Sequence, residues 1–251
     1  MKEVLFILIF TFVASGTSFA THPLVTDDAG TQGKGKFQLE LVGQNSRNNE
    51  DGVKSNATQI TPILTYGIVD NVDIILGVPY QRFRTKDADD TFSEDGFSDA
   101  SLDLKWRFHE NNGWGFALKP GITLPTGNEE KGFGTGRVTY RLFFITTKEL
   151  KPWAFHVNLG YIRNENNTHD NKNLWHASLA AEVEVVKDLR AVANIGINRN
   201  PDVDDTVHPA FILGGLVYSL SEHLDLDVGI KGGLNRAEDD ITYLAGLTWK
   251  F

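Results

Sequence analysis

The sequence predicts an all-β fold, a transmembrane antiparallel up-and-down β-barrel of about 12 strands. The first observation is alternation: in residues 101–108 apolar side chains occupy every second position, with charged side chains between them. The second is composition, since aromatic residues make up 11% of the chain and the mean hydropathy is only mildly polar. A transmembrane barrel has this composition because only alternate residues of each strand face lipid.

The carboxyl terminus supplies the third observation. Residues 243–251 place bulky or apolar side chains at every second position and end on Phe251. This stretch resembles the closing strand of bacterial outer-membrane barrels, whose assembly signal is an aromatic-rich final strand with a terminal Phe. Gly246, Trp249 and Phe251 match that signal, while Leu244 stands where a polar residue is usual. The resemblance implies the barrel-assembly machinery as a partner.

The amino terminus predicts export. Residues 1–20 combine a short charged start, an apolar run and a small-residue cleavage site, the pattern of a signal peptide. The apolar run is shorter than the roughly 20 residues that a membrane-spanning helix needs. We expect a periplasmic or lumenal segment at residues 21–33 and the barrel at residues 34–251, a length common for one barrel domain.

Twelve strands follow from the alternation, and the connections between them alternate in length. Short turns on one side and long polar loops on the other are typical of outer-membrane barrels. With an even number of strands, both termini lie on the periplasmic side. Four prolines fall within the predicted strands, where each removes a backbone donor, so we expect bulges or strand ends there. The strands are predicted at residues 34–45, 57–68, 72–84, 98–108, 114–125, 135–147, 152–164, 174–186, 189–199, 207–219, 223–234 and 240–251.

The same alternation turns charged and histidine side chains toward the lumen. Such a lining fits either a solute path or a plug cross-linked by ion pairs, and the sequence leaves both open. The predicted lining residues are Asp103, Lys105, Arg107, Lys119, Arg137, Arg141, His156, His176, Glu182, Glu184, Arg190, Asp225, Asp227 and Lys231.

Composition excludes several classes of function. With no cysteine, the chain has no thiolate metal site and no cysteine nucleophile. Its net charge of −9 argues against a nucleic-acid partner. Acidic stretches at residues 86–99, 202–205 and 238–240 fit no regular calcium loop, and we expect them to form a solvated outer face. We therefore predict no cofactor and no metal site.

The chain has further characteristic stretches at residues 23–29 with 33–40, at residues 70–80, and at residues 97–107 with 118–127. Together these stretches resemble the MetA-pathway of phenol degradation family. The resemblance implies a barrel in the outer membrane of a Gram-negative bacterium that moves small compounds, aromatic ones among them. The family offers no established catalytic motif.

One enzymatic alternative is a barrel lipid hydrolase. His176, Ser178 and Glu182 lie on one face of a predicted strand, and such a set can support acyl transfer. Lipid A deacylases use a His-x-Ser strand motif, but there the set faces lipid. Here the alternation turns it inward, which favours lumen lining and a chain that is not an enzyme.

The sequence therefore predicts an outer-membrane barrel that passes or binds small hydrophobic, aromatic or weakly polar molecules. The alternative is a non-conducting structural or surface-interaction barrel, and the lipid hydrolase is third. The expected partners are outer-membrane lipid, lipopolysaccharide and a small-molecule solute.

Overall fold

A computed structural model describes residues 22–50, 53–86 and 91–251 of the chain. The predicted signal peptide, residues 1–20, lies outside these residues. Fourteen strand segments account for most of what is described: β1 Phe37–Glu50, β2 Val53–Val69, β3 Val72–Gly77, β4 Tyr80–Lys86, β5 Thr91–Phe97, β6 Ala100–Asn111, β7 Trp114–Leu124, β8 Thr139–Leu150, β9 Trp153–Arg163, β10 Asn173–Val186, β11 Leu189–Asn198, β12 Ala210–Ser221, β13 Leu224–Gly233 and β14 Ile241–Lys250.

These segments form a closed antiparallel barrel of 12 strands, which confirms the predicted fold. β3 and β4 pair with β2 in one continuous register and so form one strand of the wall. β5 and β6 form another, which pairs with β4 and β3. β1 closes the barrel by pairing with both β14 and β2. Among the described residues every strand segment except β5 pairs on both sides, and β5, near the connection at residues 87–90, pairs with β4 alone. The rest of the wall is therefore closed, as a strand protein in lipid requires.

Two of the four prolines lie at strand boundaries, as expected. Pro79 lies between β3 and β4, and Pro209 precedes β12. Pro62 and Pro120 lie inside β2 and β7. The Pro62 carbonyl still accepts from the N–H of Val78, so the wall stays continuous where a donor is missing.

The wall has an apolar outer surface and a polar inner one. In β6, Leu104 and Trp106 are exposed on the outside, whereas Asp103 and Lys105 are buried inside. The pattern repeats in β13, where Leu226 and Val228 face outward. An exposed apolar surface that continues around the barrel is stable only against lipid. Within the described residues, no helix is long and apolar enough to span a membrane.

The two ends of the barrel differ. At the end called here the turn end, tight connections join the strands, for example residues 112–113 with φ of 49° and 72°. The chain enters and leaves at this end, because Phe37 and Phe251 exchange backbone hydrogen bonds of 2.7 and 2.9 Å. The opposite end, called here the loop end, carries longer connections such as residues 125–138 and 199–209.

Two predicted long loops are strands in the structure. β1 and β2 extend through residues 46–50 and 53–56, and β4 and β5 extend through residues 85–86 and 91–97. These extensions lack an apolar outer face, so alternation could not detect them. In addition, the first strand begins at Phe37, three residues after its predicted start at residue 34.

The connection between β7 and β8 is held against the inner wall at the loop end. Asp99 accepts hydrogen bonds of 2.9 Å from the N–H groups of both Gly127 and Thr135. Phe133 is fully buried and stacks on Phe83 with 5.4 Å between ring centroids. The connection therefore narrows the lumen at this end.

Candidate functional site: the barrel lumen

The amino-terminal segment, residues 22–33, lies inside the barrel. It leaves β1 at the turn end, where the Gly67 carbonyl accepts from the N–H of Gly35 at 2.8 Å. The backbones come so close here that a Cβ on Gly67 would lie 1.9 Å from the Gly33 carbonyl oxygen. Only glycine fits that approach. From this point the segment follows the inner wall past β7, β9 and β11 to β14.

Asp27 fixes the middle of the segment. Its carboxylate accepts from the ammonium groups of Lys105 at 2.9 Å and Lys119 at 2.6 Å. Burial would raise the pKa of Asp27, but the two ammonium groups outweigh it and hold this pKa well below its usual range. Asp27 is therefore ionised at neutral pH and partly neutralises two lumen lysines.

Thr26 joins the segment to β10 and β11. Its hydroxyl donates to Ser178 Oγ at 2.7 Å, and its N–H donates to the Asn194 side chain at 3.0 Å. Ser178 Oγ also lies 2.8 Å from His176 Nε2, and His176 Nδ1 lies 2.6 Å from Asn198 Oδ1. These contacts form one buried hydrogen-bond chain, so every member is satisfied.

The start of the segment crosses to β12, β13 and β14. His22 Nδ1 lies 2.5 Å from Asp227 Oδ1, a pair separated by 205 residues in sequence. Leu24 packs on a small apolar cluster of Phe211, Leu213 and Leu244. The segment is thus attached to the wall by an acid–histidine contact, a hydrophobic contact and the Asp27 ion pairs.

Most of the other predicted lining residues also have partners. Asp103 and Arg141 form a two-pronged pair, with nitrogen–oxygen distances of 2.7 and 2.6 Å. At the turn end, Arg190 lies 2.8 Å from Glu182 and 3.8 Å from Asp225. The remaining contacts are Asp225 with Lys250 at 2.8 Å, Lys231 with Glu238 at 2.6 Å, Arg107 with Glu110 at 3.0 Å, and fully buried His156 with Glu182 at 3.4 Å.

Two of the predicted lining residues lie elsewhere. Arg137 is exposed in the β7–β8 connection, where its Nε donates to Asn167 at 2.6 Å, because β8 begins only at Thr139. Glu184 faces inward by register but is exposed near the turn end. The other twelve predicted residues face the interior of the barrel.

The segment leaves space on one side of the lumen. A cavity of about 320 Å³ lies between it and the wall formed by β1, β2, β3 and β6. A second cavity of about 610 Å³ opens at the turn end, lined by Ala29, Arg107 and Trp114 among others. The lining residues predicted from the sequence are all charged residues or histidines, so the prediction does not include the neutral wall of the first cavity. That wall includes Gln38, Thr61, Thr65 and Ser101, all at inward positions of the alternation.

The terminal residues lie in the closing strand and beside it. Trp249 and Phe251 contact each other at 5.0 Å, and Phe251 stacks on Phe37 at 5.5 Å between ring centroids. Gly246 leaves room for the Asp227 carboxylate and the His22 ring, since a Cβ there would lie 2.4 Å from Asp227 Oδ2. In the described part of the chain, no three His, Asp or Glu side chains form a metal-binding group.

Several solved structures that share this fold are outer-membrane proteins. The COG4313 outer membrane channel from Pseudomonas putida F1 is similar with a TM-score of 0.71 and 16% identity, covering 89% of this chain and 98% of that one. The NanC porin is similar with a TM-score of 0.53 and 8% identity, covering 85% of this chain and 100% of the porin. The transport unit of the autotransporter AIDA-I from Escherichia coli is similar with a TM-score of 0.55 and 13% identity. That match covers 91% of this chain and 94% of the transport unit.

The shared fold and the apolar outer wall place the chain in the bacterial outer membrane. No curated protein sequence matches the chain significantly. A family model described as "Putative MetA-pathway of phenol degradation" matches residues 20–251, nearly the whole chain. The chain therefore belongs to the family that its sequence resembles, the MetA-pathway of phenol degradation family.

Proposed function

We propose that the barrel passes small hydrophobic, aromatic or weakly polar molecules across the outer membrane. The observation that carries this proposal is the cavity between residues 22–33 and the wall of β1, β2, β3 and β6. Its volume, about 320 Å³, is at the lower end of the range for small-molecule sites. A single aromatic ring with one or two polar substituents fits such a space. We orient the barrel with its turn end toward the periplasm and its loop end toward the cell exterior.

The chemistry of the cavity wall supports a weakly polar solute. Gln38, Thr61 and Ser101 offer neutral hydrogen-bonding groups. The Lys105 and Lys119 ammonium groups are occupied by Asp27, so they attract an anion less than free lysines would. Pore selectivity follows from width and from the groups that line the path. We infer that phenol passes more readily than benzoate.

Flux into liposomes tests the proposal. Thr61→Trp fills the cavity from the wall, whereas Ile60→Trp places the same side chain on the outer surface of the same strand. We expect phenol flux to fall to the protein-free rate with Thr61→Trp and to stay at the wild-type rate with Ile60→Trp. Equal flux through both variants would show that this cavity is not the path.

A second candidate function is a sealed, non-conducting barrel. The ion pairs of Asp27 and the His22–Asp227 contact favour it, because they hold residues 22–33 across the lumen. Planar-bilayer recordings separate the two functions. Reproducible open steps support the passage, and silence together with absent phenol flux supports the sealed barrel.

We infer that the His176–Ser178–Asn198 chain is lumen lining and that the protein is not a lipid hydrolase. The distances suit a nucleophile and its base. However, Ser178 Oγ is buried and already bonded by Thr26, and the group faces the lumen rather than lipid. Phospholipid hydrolysis that is abolished by Ser178→Ala would contradict this inference.

Two further partners belong to the proposal. The aromatic carboxyl terminus, with Trp249 and Phe251 in contact beside β1, supports recognition by the barrel-assembly machinery. The loop end then faces the outer leaflet, which contains lipopolysaccharide. Residues 1–20 act as the export signal, and residues 22–33 stay in the lumen of the mature protein.

A further inference from the structure

The outer surface of three neighbouring strands changes from apolar to cationic toward the loop end. On β2 the outward side chains are apolar up to Ile60, and on β4 Tyr80 marks the same level. Beyond this level lie five exposed cations in the strands β1, β2 and β4. They are Arg47, Lys54, Arg82, Arg84 and Lys86, called here the cationic grid.

The strand register places the grid in three rows. Arg82 lies in a row with Asn45 and Thr58. The next row is Arg47, Asn56 and Arg84, and the last is Asn49, Lys54 and Lys86. With strands ~4.8 Å apart and ~3.4 Å per residue, the grid covers about 10 by 14 Å. Cations and neutral amides or hydroxyls thus occupy every position.

The grid cations differ from the cations of the lumen. Arg141 and Arg190 in the lumen have carboxylate partners. Among the described residues, none of the five grid cations forms an ion pair with a carboxylate. Arg47 instead lies over the ring of Tyr243, 5.4 Å from its centroid. The grid therefore presents its positive charge outward.

A groove supports the same conclusion. About 410 Å³ of open space lies among Arg47, Lys54, Arg84 and Lys86. Asp240 also borders the groove, and its carboxylate accepts from the N–H of Asn49 at 2.9 Å. Asp95 lies beside Arg82 in register and accepts from the hydroxyl of Tyr80.

We propose that the cationic grid binds the phosphorylated headgroup of lipid A in the outer leaflet. Arg and Lys are the side chains that hold phosphate oxygens, and the neutral amides between them suit sugar hydroxyls. The apolar side chains directly below, Ile60 and Leu64, would meet the acyl chains of the same molecule. An outward surface above an apolar band faces lipid headgroups, not a dissolved anion. This inference rests on the orientation given under the proposed function.

The test compares binding of purified lipid A to the full barrel in detergent, measured by native mass spectrometry. One variant carries Arg47→Gln, Arg84→Gln and Lys86→Gln. A matched control carries Lys148→Gln, Lys151→Gln and Lys187→Gln at the turn end, which removes the same charge. Heat-modifiable migration in gel electrophoresis shows that each variant is a folded barrel.

We expect the grid variant to bind lipid A ~100-fold more weakly, from about a factor of five for each cation lost near an anionic lipid surface. The control should bind like the wild type. Dephosphorylated lipid A should bind the wild type as weakly as phosphorylated lipid A binds the grid variant. This last arm uses only wild-type protein, so it holds even if a variant folds poorly.

Equal binding of lipid A by the wild type and the grid variant overturns the inference, as does equal binding of the phosphorylated and dephosphorylated forms. Phenol flux through the same preparations keeps the two proposals apart. Loss of lipid A binding with unchanged flux supports both. Lipid A binding without any flux in the wild type contradicts the passage alone.

Discussion

Asp27→Asn should make the pore markedly more selective for anions. The substitution removes the carboxylate that lies 2.9 Å from Lys105 and 2.6 Å from Lys119, and leaves two ammonium groups in the lumen with one partner fewer. An anion that passes about 4 Å from one additional uncompensated charge gains about 1 kcal/mol even with the screening of bulk water. That energy corresponds to about a fivefold change in a partition ratio. The narrow lumen screens charges less than bulk water does, so fivefold is a lower limit.

The reversal potential in a salt gradient across a planar bilayer gives the chloride-to-potassium permeability ratio. We expect this ratio to rise at least about fivefold for Asp27→Asn relative to the wild type. Asp204→Asn is the matched control, since it removes one negative charge from an exposed position in a loop-end connection. An unchanged ratio for Asp27→Asn, or an equal rise for Asp204→Asn, would refute the argument that Asp27 neutralises the conducting path.

Three further substitutions test other parts of the structure. Gly121→Val would put its Cβ 1.8 Å from Asp103 Oδ1 and displace that carboxylate, so we expect a loss of about 1–3 kcal/mol, seen as a lower thermal unfolding midpoint. Asp99→Ala removes the acceptor of two backbone N–H groups in the β7–β8 connection, and should speed trypsin cleavage after Lys131 without unfolding the barrel. Phe251→Ala removes the terminal ring, and should lower the heat-modifiable barrel fraction in isolated outer membranes.

The barrel was predictable because its physics is local. Every strand in the membrane must separate an apolar face from a polar one, and that requirement repeats every second residue. For this reason the alternation within residues 101–108 was enough to predict that Asp103 and Lys105 face inward and that Trp106 faces outward. The strand number followed from counting such stretches, and the structure has the predicted 12.

Alternation could not predict the strand extensions, nor which of the two expected places, the periplasm or the lumen, residues 22–33 occupy. The loop-end parts of β1 and β2 are rich in Asn, Ser and Arg and carry no apolar outer face, as expected of a strand that extends beyond lipid. Residues 22–33 have no regular period, and their partners lie far away in the chain. Thr26 and Ser178, for example, are 152 residues apart, so only the closed barrel brings them together. That the solute passes beside this segment stays a prediction.

The pairing of lumen charges also decides which residues can select a solute. A carboxylate or cation that already has a partner of opposite charge at hydrogen-bond distance contributes little field at the path. Asp103, Arg141, Lys105 and Lys119 are paired in this way. Glu40 and Asp73 border the cavity beside residues 22–33, and neither forms an ion pair with a described residue. We therefore expect selectivity among weakly polar solutes to depend on these two carboxylates and their neutral neighbours. A count of charged inward positions in the sequence overstates how much unpaired charge lines this cavity.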